Sequence, residues 1–355
     1  REPAMTLLLS PALSVALTLQ GPAAPPPVSV KVDSSRHEVV IVAGPWKLPN
    51  MPPMDDHMMM DMGAHDAPVQ RFVWPIDGWY RGFKYELVDA RGNVLDRRIL
   101  HHMIVINFDR RQLLYPAVER LGGAGSETDD ASVPKTIGVP LSKGTNLGFY
   151  IMWHNETGKD LDAVYLRYSM LWTPTNQNPR PVSSMPIYMD VNLTVGGSNM
   201  FDAPPGVSTK AYEFTLPVSG RLLGVGGHMH DYGSMVQLED AQSGKELARV
   251  TAQRDSAGRV RKVSRKLFGV SGEGLKLEAG HRYRVVATYD NPSQKTSPGV
   301  MAHMVGLFVP DDMSKWPKLD TSDPTLRKDL ASLQVPGYAD ADGGTSPEHM
   351  HHQQR

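Results

Sequence analysis

Leu223-Gly-Val-Gly-Gly-His-Met-His-Asp-Tyr-Gly-Ser-Met-Val-Gln-Leu-Glu239 carries more chemistry than any other stretch of similar length in the chain. It reads as a strand ending in a His-x-His pair, then a turn, then a second strand. In an extended chain side chains alternate faces, so His228 and His230 point the same way. Two imidazoles on one face make half of a metal site. Gly226, Gly227 and Gly233 remove bulk around the pair and let the backbone bend or bulge there. The remainder of the chain has to supply the other half.

Composition narrows what that remainder is. At 355 residues and 40% hydrophobic content, the chain is long enough for two domains with real cores. A net charge of −1 gives no electrostatic case for a nucleic-acid or anionic-membrane partner. Proline (29) and glycine (32) are both abundant. Val-rich alternation is frequent and long helical periodicity is scarce, which predicts an all-β fold with many turns. The absence of cysteine excludes disulfides and thiolate sites and restricts any metal site to His, Met, Asp and Glu.

Taken in order, Met5 to Gln20 is an apolar run with small residues following at Ala23-Ala24, the pattern of a secretory signal and too short to span a bilayer. Residues 1–27, closing on Pro25 to Pro27, are expected to be this signal-like segment and a stiff spacer, which puts the protein in a secreted or periplasmic setting with no stable membrane insertion. Val28 to Val42 alternates as two strands. Met51 to His65 then breaks the pattern with mixed thioethers, imidazoles and carboxylates, six of the 19 methionines lying between Met51 and Met62. Thioethers suit Cu(I), so this loop is expected to act as a copper donor, against the plainer reading of a Met-rich loop packed on apolar surface.

Ile99-Leu-His-His-Met-Ile-Val-Ile106 is a strongly apolar strand with two adjacent histidines. In a regular strand His101 and His102 face opposite sides, so they share a metal only at a bulge or strand end. Asp109 to Pro134 reads as a long loop with a short helix around Leu113 to Leu121. Asn146 to Asn155 is a buried-type strand ending in His154. Trp172 to Pro186 reads as a linker between two similar halves, residues 28–175 and 176–310, each with about eight short strands, the count of a jelly-roll sandwich. The expected architecture is therefore two tandem eight-stranded jelly-roll-like β-sandwiches with a cleft between them, followed by a loosely packed polar tail over 311–355 that ends in His349, His351 and His352. Asn155-Glu-Thr and Asn192-Leu-Thr match glycosylation sequons, a weak signal that the position of Asn155 beside a candidate ligand argues against.

These motifs, in this order, resemble the copper type II, ascorbate-dependent monooxygenases, the family of peptidylglycine α-hydroxylating monooxygenase and dopamine β-monooxygenase. That family carries a His-His-Met strand and a later strand-end His, matched by His101-His102-Met103 and His154. It then carries His-x-His and a Met ahead of a strand, matched by His228-Met229-His230 and Met301. The resemblance runs from about Val28 to Pro310. It implies two coppers per chain, an electron-transfer site at His101/His102/His154 and an O2-activating site at His228/His230/Met301. Ascorbate or a similar donor supplies electrons, and a small-molecule substrate with an activated C–H bond is hydroxylated between the two sites.

Three departures matter. Peptide-hydroxylating members place an Arg two residues before the His-x-His, where this chain has Gly226, so a peptidylglycine substrate is not expected. The disulfides of the animal enzymes are absent, which suggests a bacterial relative. His303 and Met304 compete with Met301 as the sixth ligand, with Met301 favoured by its place ahead of the strand. Two other readings stand beside the enzyme: a periplasmic copper store or carrier on the same fold, and a zinc site at His101/His102/His154 for which no carboxylate base is evident.

Overall fold

The computed structural model describes residues 27–51, 69–125, 128–195, 199–269 and 273–333. The signal-like segment, the Met-rich loop after Met51 and the terminal histidines lie outside these. The fold is all-β, built as two sandwiches in tandem. In the first, one sheet runs Val28–Asp33, Glu38–Leu48, Leu161–Pro174, Gly78–Asp89, Ile137–Leu141 and Val182–Ser183 in spatial order, with Ala131–Ser132 also paired to Gly78–Asp89. The facing sheet runs Gln70–Val73, Asn146–Trp153, Leu100–Arg111 and Val118–Gly125. The second sandwich pairs Met185–Asp190, Ala302–Pro310 and Gly220–Met229 with the short strands Lys266–Leu267 and Leu275–Leu277. Its facing sheet runs Gly206–Thr215, Arg282–Asn291, Gly233–Asp240, Glu246–Arg254 and Val260–Val263. The strands exceed about eight per half because short pieces such as Ala131–Ser132 and Lys266–Leu267 extend the sheets at their margins.

Each core forms by period-two alternation. Met103 and Val105 from one sheet meet Leu87, Leu166 and Tyr168 from the other in the first sandwich. Leu222, Met229 and Phe308 meet Val285, Ala287 and Tyr289 in the second. Burying each such side chain contributes about 1.5–3 kcal/mol. The halves also share a turn: Asn155 and Asn291 are almost fully buried, and each accepts from the backbone N–H two residues on (Thr157, 3.2 Å; Ser293, 3.0 Å). Each also donates to the carbonyl four residues on, Lys159 and Lys295, both at 2.9 Å.

Three expectations are corrected. Leu113 to Leu121 forms no helix; instead Val118–Gly125 pairs with Leu100–Arg111, His102 opposite Gly125. Pro116 blocks a continuous helix, and Gly122-Gly123 disfavours one by about 1 kcal/mol per residue. The linker is short, because Leu161–Pro174 carries the first sheet through buried Trp172 and Val182–Ser183 pairs, in parallel, with Ile137–Leu141. Most consequentially, residues 311–333 are packed rather than loose. The helix Pro324–Ser332 starts at Asp323, whose carboxylate accepts from the Thr325 and Leu326 N–H groups, with Pro324 at the first helical position. Its apolar stripe, Leu326 and Leu330 with Leu333 beyond, covers Ile106, Phe108, Val118 and Tyr150 on the outer face of the four-stranded sheet. Among the described residues no helix is long and apolar enough to cross a membrane.

Candidate metal centre

The strand Leu100–Arg111 sits between Asn146–Trp153 and Val118–Gly125. Leu100 pairs with Trp153 and His102 with Met152, so two steps on one strand oppose one on the other. This is a β-bulge at His101, and it brings the two neighbouring rings to the same side. Their centroids stand 4.9 Å apart. His154 follows the last residue of Asn146–Trp153; its N–H donates to the Ile99 carbonyl at 2.8 Å, and its ring lies 6.4 Å from that of His101. Its Nε2 is 3.0 Å from Glu156 Oε1. The Asn155 amide donates to the Leu48, Pro49 and Lys159 carbonyls, which leaves it committed to the turn and not to a glycan.

In the second half, His228 is the penultimate residue of Gly220–Met229 and pairs across to His303, while Met229 ends the strand and is packed in the core. His228 and His230 therefore share the face opposite the core, with ring centroids 5.1 Å apart. Tyr289, fully buried, fixes the backbone here: its hydroxyl donates to the Met301 carbonyl at 2.6 Å and accepts from the His230 N–H at 3.3 Å. This pinning residue announces itself in the sequence only as a phenol in a register otherwise held by Val285 and Ala287. Met301 lies at the edge of the cavity described below, whereas Met304 is fully buried in the second core and His303 faces the cavity beside Met301.

The two sets were expected on opposite walls of a substrate cleft. Instead they meet. The His101 and His230 rings are 5.7 Å apart in an edge-on contact, and His102 and His228 are 6.3 Å apart. His303 extends the chain of rings, 5.2 Å from His228. Beside this cluster, between the four-stranded sheet and Gly220–Met229, lies a cavity of about 450 Å³. Its walls are chiefly apolar or glycine, among them Ile104, Gly122, Gly226, Met301 and Val305. Among the described residues no group of three His, Asp or Glu side chains already stands in metal-holding geometry; convergence on an ion requires the rings to turn about their side-chain torsions.

Behind His303, the Tyr188 hydroxyl donates to Asp190 Oδ2 at 2.6 Å and stands 3.4 Å from His303 Nδ1. Asp190 is fully buried, and burial pushes its carboxyl up to about 6, against the pull of hydrogen bonds from Tyr188, the Asn192 N–H and Asn199. A group whose folded pKa is raised stabilises the fold below its unfolded value and loses that contribution as pH rises through the folded one. The advantage of the native protein over Asp190→Asn is therefore expected to shrink by a few kcal/mol between pH 4 and pH 7, read from urea midpoints at the two pH values. A gap that stays constant or widens with pH would contradict this.

No protein-family model matches the chain, and no curated protein matches it. Among solved structures, recombinant N-glycanase F (PNGase F) is similar with a TM-score of 0.39 at 9% identity, covering 76% of this chain and 96% of that one. PNGase F from Flavobacterium meningosepticum gives 0.37 at 8% identity, with the same coverage. The major capsid protein P2 of bacteriophage PM2 gives 0.32 at 10% identity, covering 76% and 98%. None of these likenesses carries an argument about the site.

Proposed function

We propose that the chain is a copper-dependent monooxygenase that hydroxylates an activated C–H bond of a small, largely apolar molecule, using O2 and an ascorbate-type reductant. The observation that supports this best is the approach of the His101, His102 and His154 rings to those of His228 and His230, with His102, His228 and Met301 lining one cavity between the halves. The donor sets fit copper. Three imidazoles would hold one ion, and two imidazoles with a thioether make a softer site that favours Cu(I). Copper bound there would supply one-electron transfer and O2 activation.

The chain's own residues do the rest. The bulge at His101 aims two adjacent imidazoles together, and Tyr289 holds the His230 and Met301 backbones at a fixed spacing. The chiefly apolar and glycine lining favours a largely apolar substrate; Gly226 stands where an Arg would anchor a carboxylate, and the nearby Arg265 and Lys262 are engaged by Asp129 and Asp130. The apolar run at Met5 to Gln20 fits export, and Met51 to His65 fits a copper-delivering segment.

The test is copper retained by the full-length chain after anaerobic Cu(I) loading and desalting, compared with a His228→Ala/His230→Ala variant. The variant is expected to hold about one copper fewer per chain, and only the native protein should couple ascorbate-driven O2 uptake to substrate hydroxylation. Equal retention by both proteins would move copper to the Met- and His-rich segments and make the chain a carrier.

A further inference from the structure

We infer that the basic strap Arg259-Val-Arg-Lys-Val-Ser-Arg-Lys266 docks a small organic anion of the enediolate type, the form ascorbate takes at neutral pH, at the opening of the cavity beside His228. This assignment rests on the copper reading above and gives the reductant of that reading a place on the chain.

Five of the eight residues in the strap are basic and none is acidic, in a chain whose net charge is −1. Part of that charge is spoken for: Arg261 pairs with Asp255, and Lys262 with Asp129. Among the described residues no carboxylate pairs with the side chain of Arg259, Arg265 or Lys266, and all three are exposed. Arg265 donates to the main-chain carbonyls of Asp129 at 2.8 Å and Asp130 at 3.3 Å. These bonds hold the guanidinium at the cavity opening, use two of its five N–H donors and leave its charge uncancelled. Lys266 lies over the Phe268 ring at 5.3 Å, a contact that keeps the ammonium charged. Cations without counter-charges at the edge of an apolar cleft focus their field there and concentrate small anions.

The fold sets this strap against the strand that carries the second histidine pair. Before the pair, Lys266 lies opposite Val225 and Leu267 opposite Gly224. Arg265 Cγ is 3.6 Å from a methyl built at Gly226, and Val263 Cγ1 is 3.8 Å from one at Gly227. After the pair, the Asp231 carboxylate accepts from the Val260 N–H and the Gly258 carbonyl accepts from the Tyr232 N–H, both at 2.9 Å. The strap therefore reaches from just after His230 to just before His228. Its Lys262 and Arg265 line the same cavity as His102 and His228. Asp129, Asp130 and Asp255 flank it, so a broad acidic protein surface would meet like charge, whereas a small anion meets the three cations alone. An ascorbate monoanion held there would give one electron to Cu(II), forming Cu(I), and its remaining enediol proton to water, leaving the ascorbyl radical anion. Two such radicals take up one proton and disproportionate to ascorbate and dehydroascorbate, so each ascorbate consumed supplies two electrons.

The first measurement is anaerobic binding of ascorbate to the metal-free, full-length protein, read from broadening of the ascorbate proton resonances. Arg259→Gln/Lys266→Gln keeps the Arg265 bonds to the first sandwich, and Arg259→Gln/Arg265→Gln/Lys266→Gln removes all three charges. Lys31→Gln/Lys143→Gln/Lys245→Gln, at three exposed cations elsewhere, is the charge-matched control. The triple strap variant is expected to bind about 10-fold more weakly than the native chain, the lower end of what electrostatic focusing provides. The double variant should fall between them, and the control should bind as the native chain does. Raising NaCl from about 20 to about 200 mM is expected to shrink the native advantage by screening. On the Cu(II)-loaded proteins, stopped flow should show the ratio of reduction rates by ascorbate and by uncharged hydroquinone falling by a similar factor in the triple strap variant. Equal ascorbate binding by native and strap-variant proteins, or an equal loss in the control, would overturn this inference and leave the monooxygenase reading standing. A native chain that binds ascorbate through the strap but retains no copper would support the docking site and remove the monooxygenase reading.

Discussion

Replacing Asp329 with alanine is expected to lower the free energy of unfolding by about 3–5 kcal/mol. The residue lies in a segment whose composition marks it as tail, yet it is 3% exposed. Its carboxylate takes a two-pronged ion pair from Arg120, with contacts of 2.6 and 2.9 Å, and also accepts the Val118 N–H at 2.9 Å. Truncation leaves a guanidinium without its counter-charge in a mostly covered site and strands a buried backbone donor, and both penalties fall on the folded state. An Arg120→Met/Asp329→Leu pair removes both charges at once and is expected to lose far less. Urea unfolding of the three proteins measures this directly. A loss below about 1 kcal/mol for Asp329→Ala, the range of exposed pairs, would show that the Arg120–Asp329 pair does not anchor the helix Pro324–Ser332.

A matched pair of glycine substitutions tests how the sheet aims the second histidine set. At Gly227 an added methyl would lie 2.9 Å from the His303 carbonyl oxygen and 3.0 Å from Val250 Cγ2. Gly220–Met229 would then have to move away from its neighbour, carrying His228 with it. Gly227→Ala is expected to weaken copper retention by about 10–100-fold, the range for disturbing groups that orient metal ligands. At Gly226 the nearest atom to an added methyl is Arg265 Cγ at 3.6 Å, an ordinary contact, so Gly226→Ala is expected to bind copper as the native chain does. Competition with a Cu(I) chelator separates the two, and equal affinities would show that strand spacing does not aim His228.

The all-β class and the two-part plan were legible because alternation and turn chemistry are local signals. So was the need for irregularity at His101-His102, since adjacent residues in a regular strand cannot share a face. What escaped was set by partners far away in sequence. Val118–Gly125 resembles a loop until the backbone of Leu100–Arg111 approaches it, and Gly123 faces the Met103 carbonyl so closely that an added methyl would stand 3.0 Å from it. The helix at Pro324 did carry a local cue, Asp-Pro followed by leucines four apart, masked by polar surroundings. The nearness of the two histidine sets had no local cue at all. It arises from how the sandwiches interlock through Leu113, buried in the second core, and Leu307, packed on the first, and no spacing along the chain encodes that.

The bulge at His101 is a single residue wide. Removing one codon between Leu100 and His102 would restore an unbroken ladder with Asn146–Trp153 and leave one imidazole where two now converge, with the core residues Met103 and Val105 kept on their own face. The reverse insertion would create the pair at a stroke. In a lineage built on this architecture the adjacent histidine pair is thus gained or lost in one mutational step, so descendants with and without the pair can share one scaffold, told apart by a residue count in a single strand.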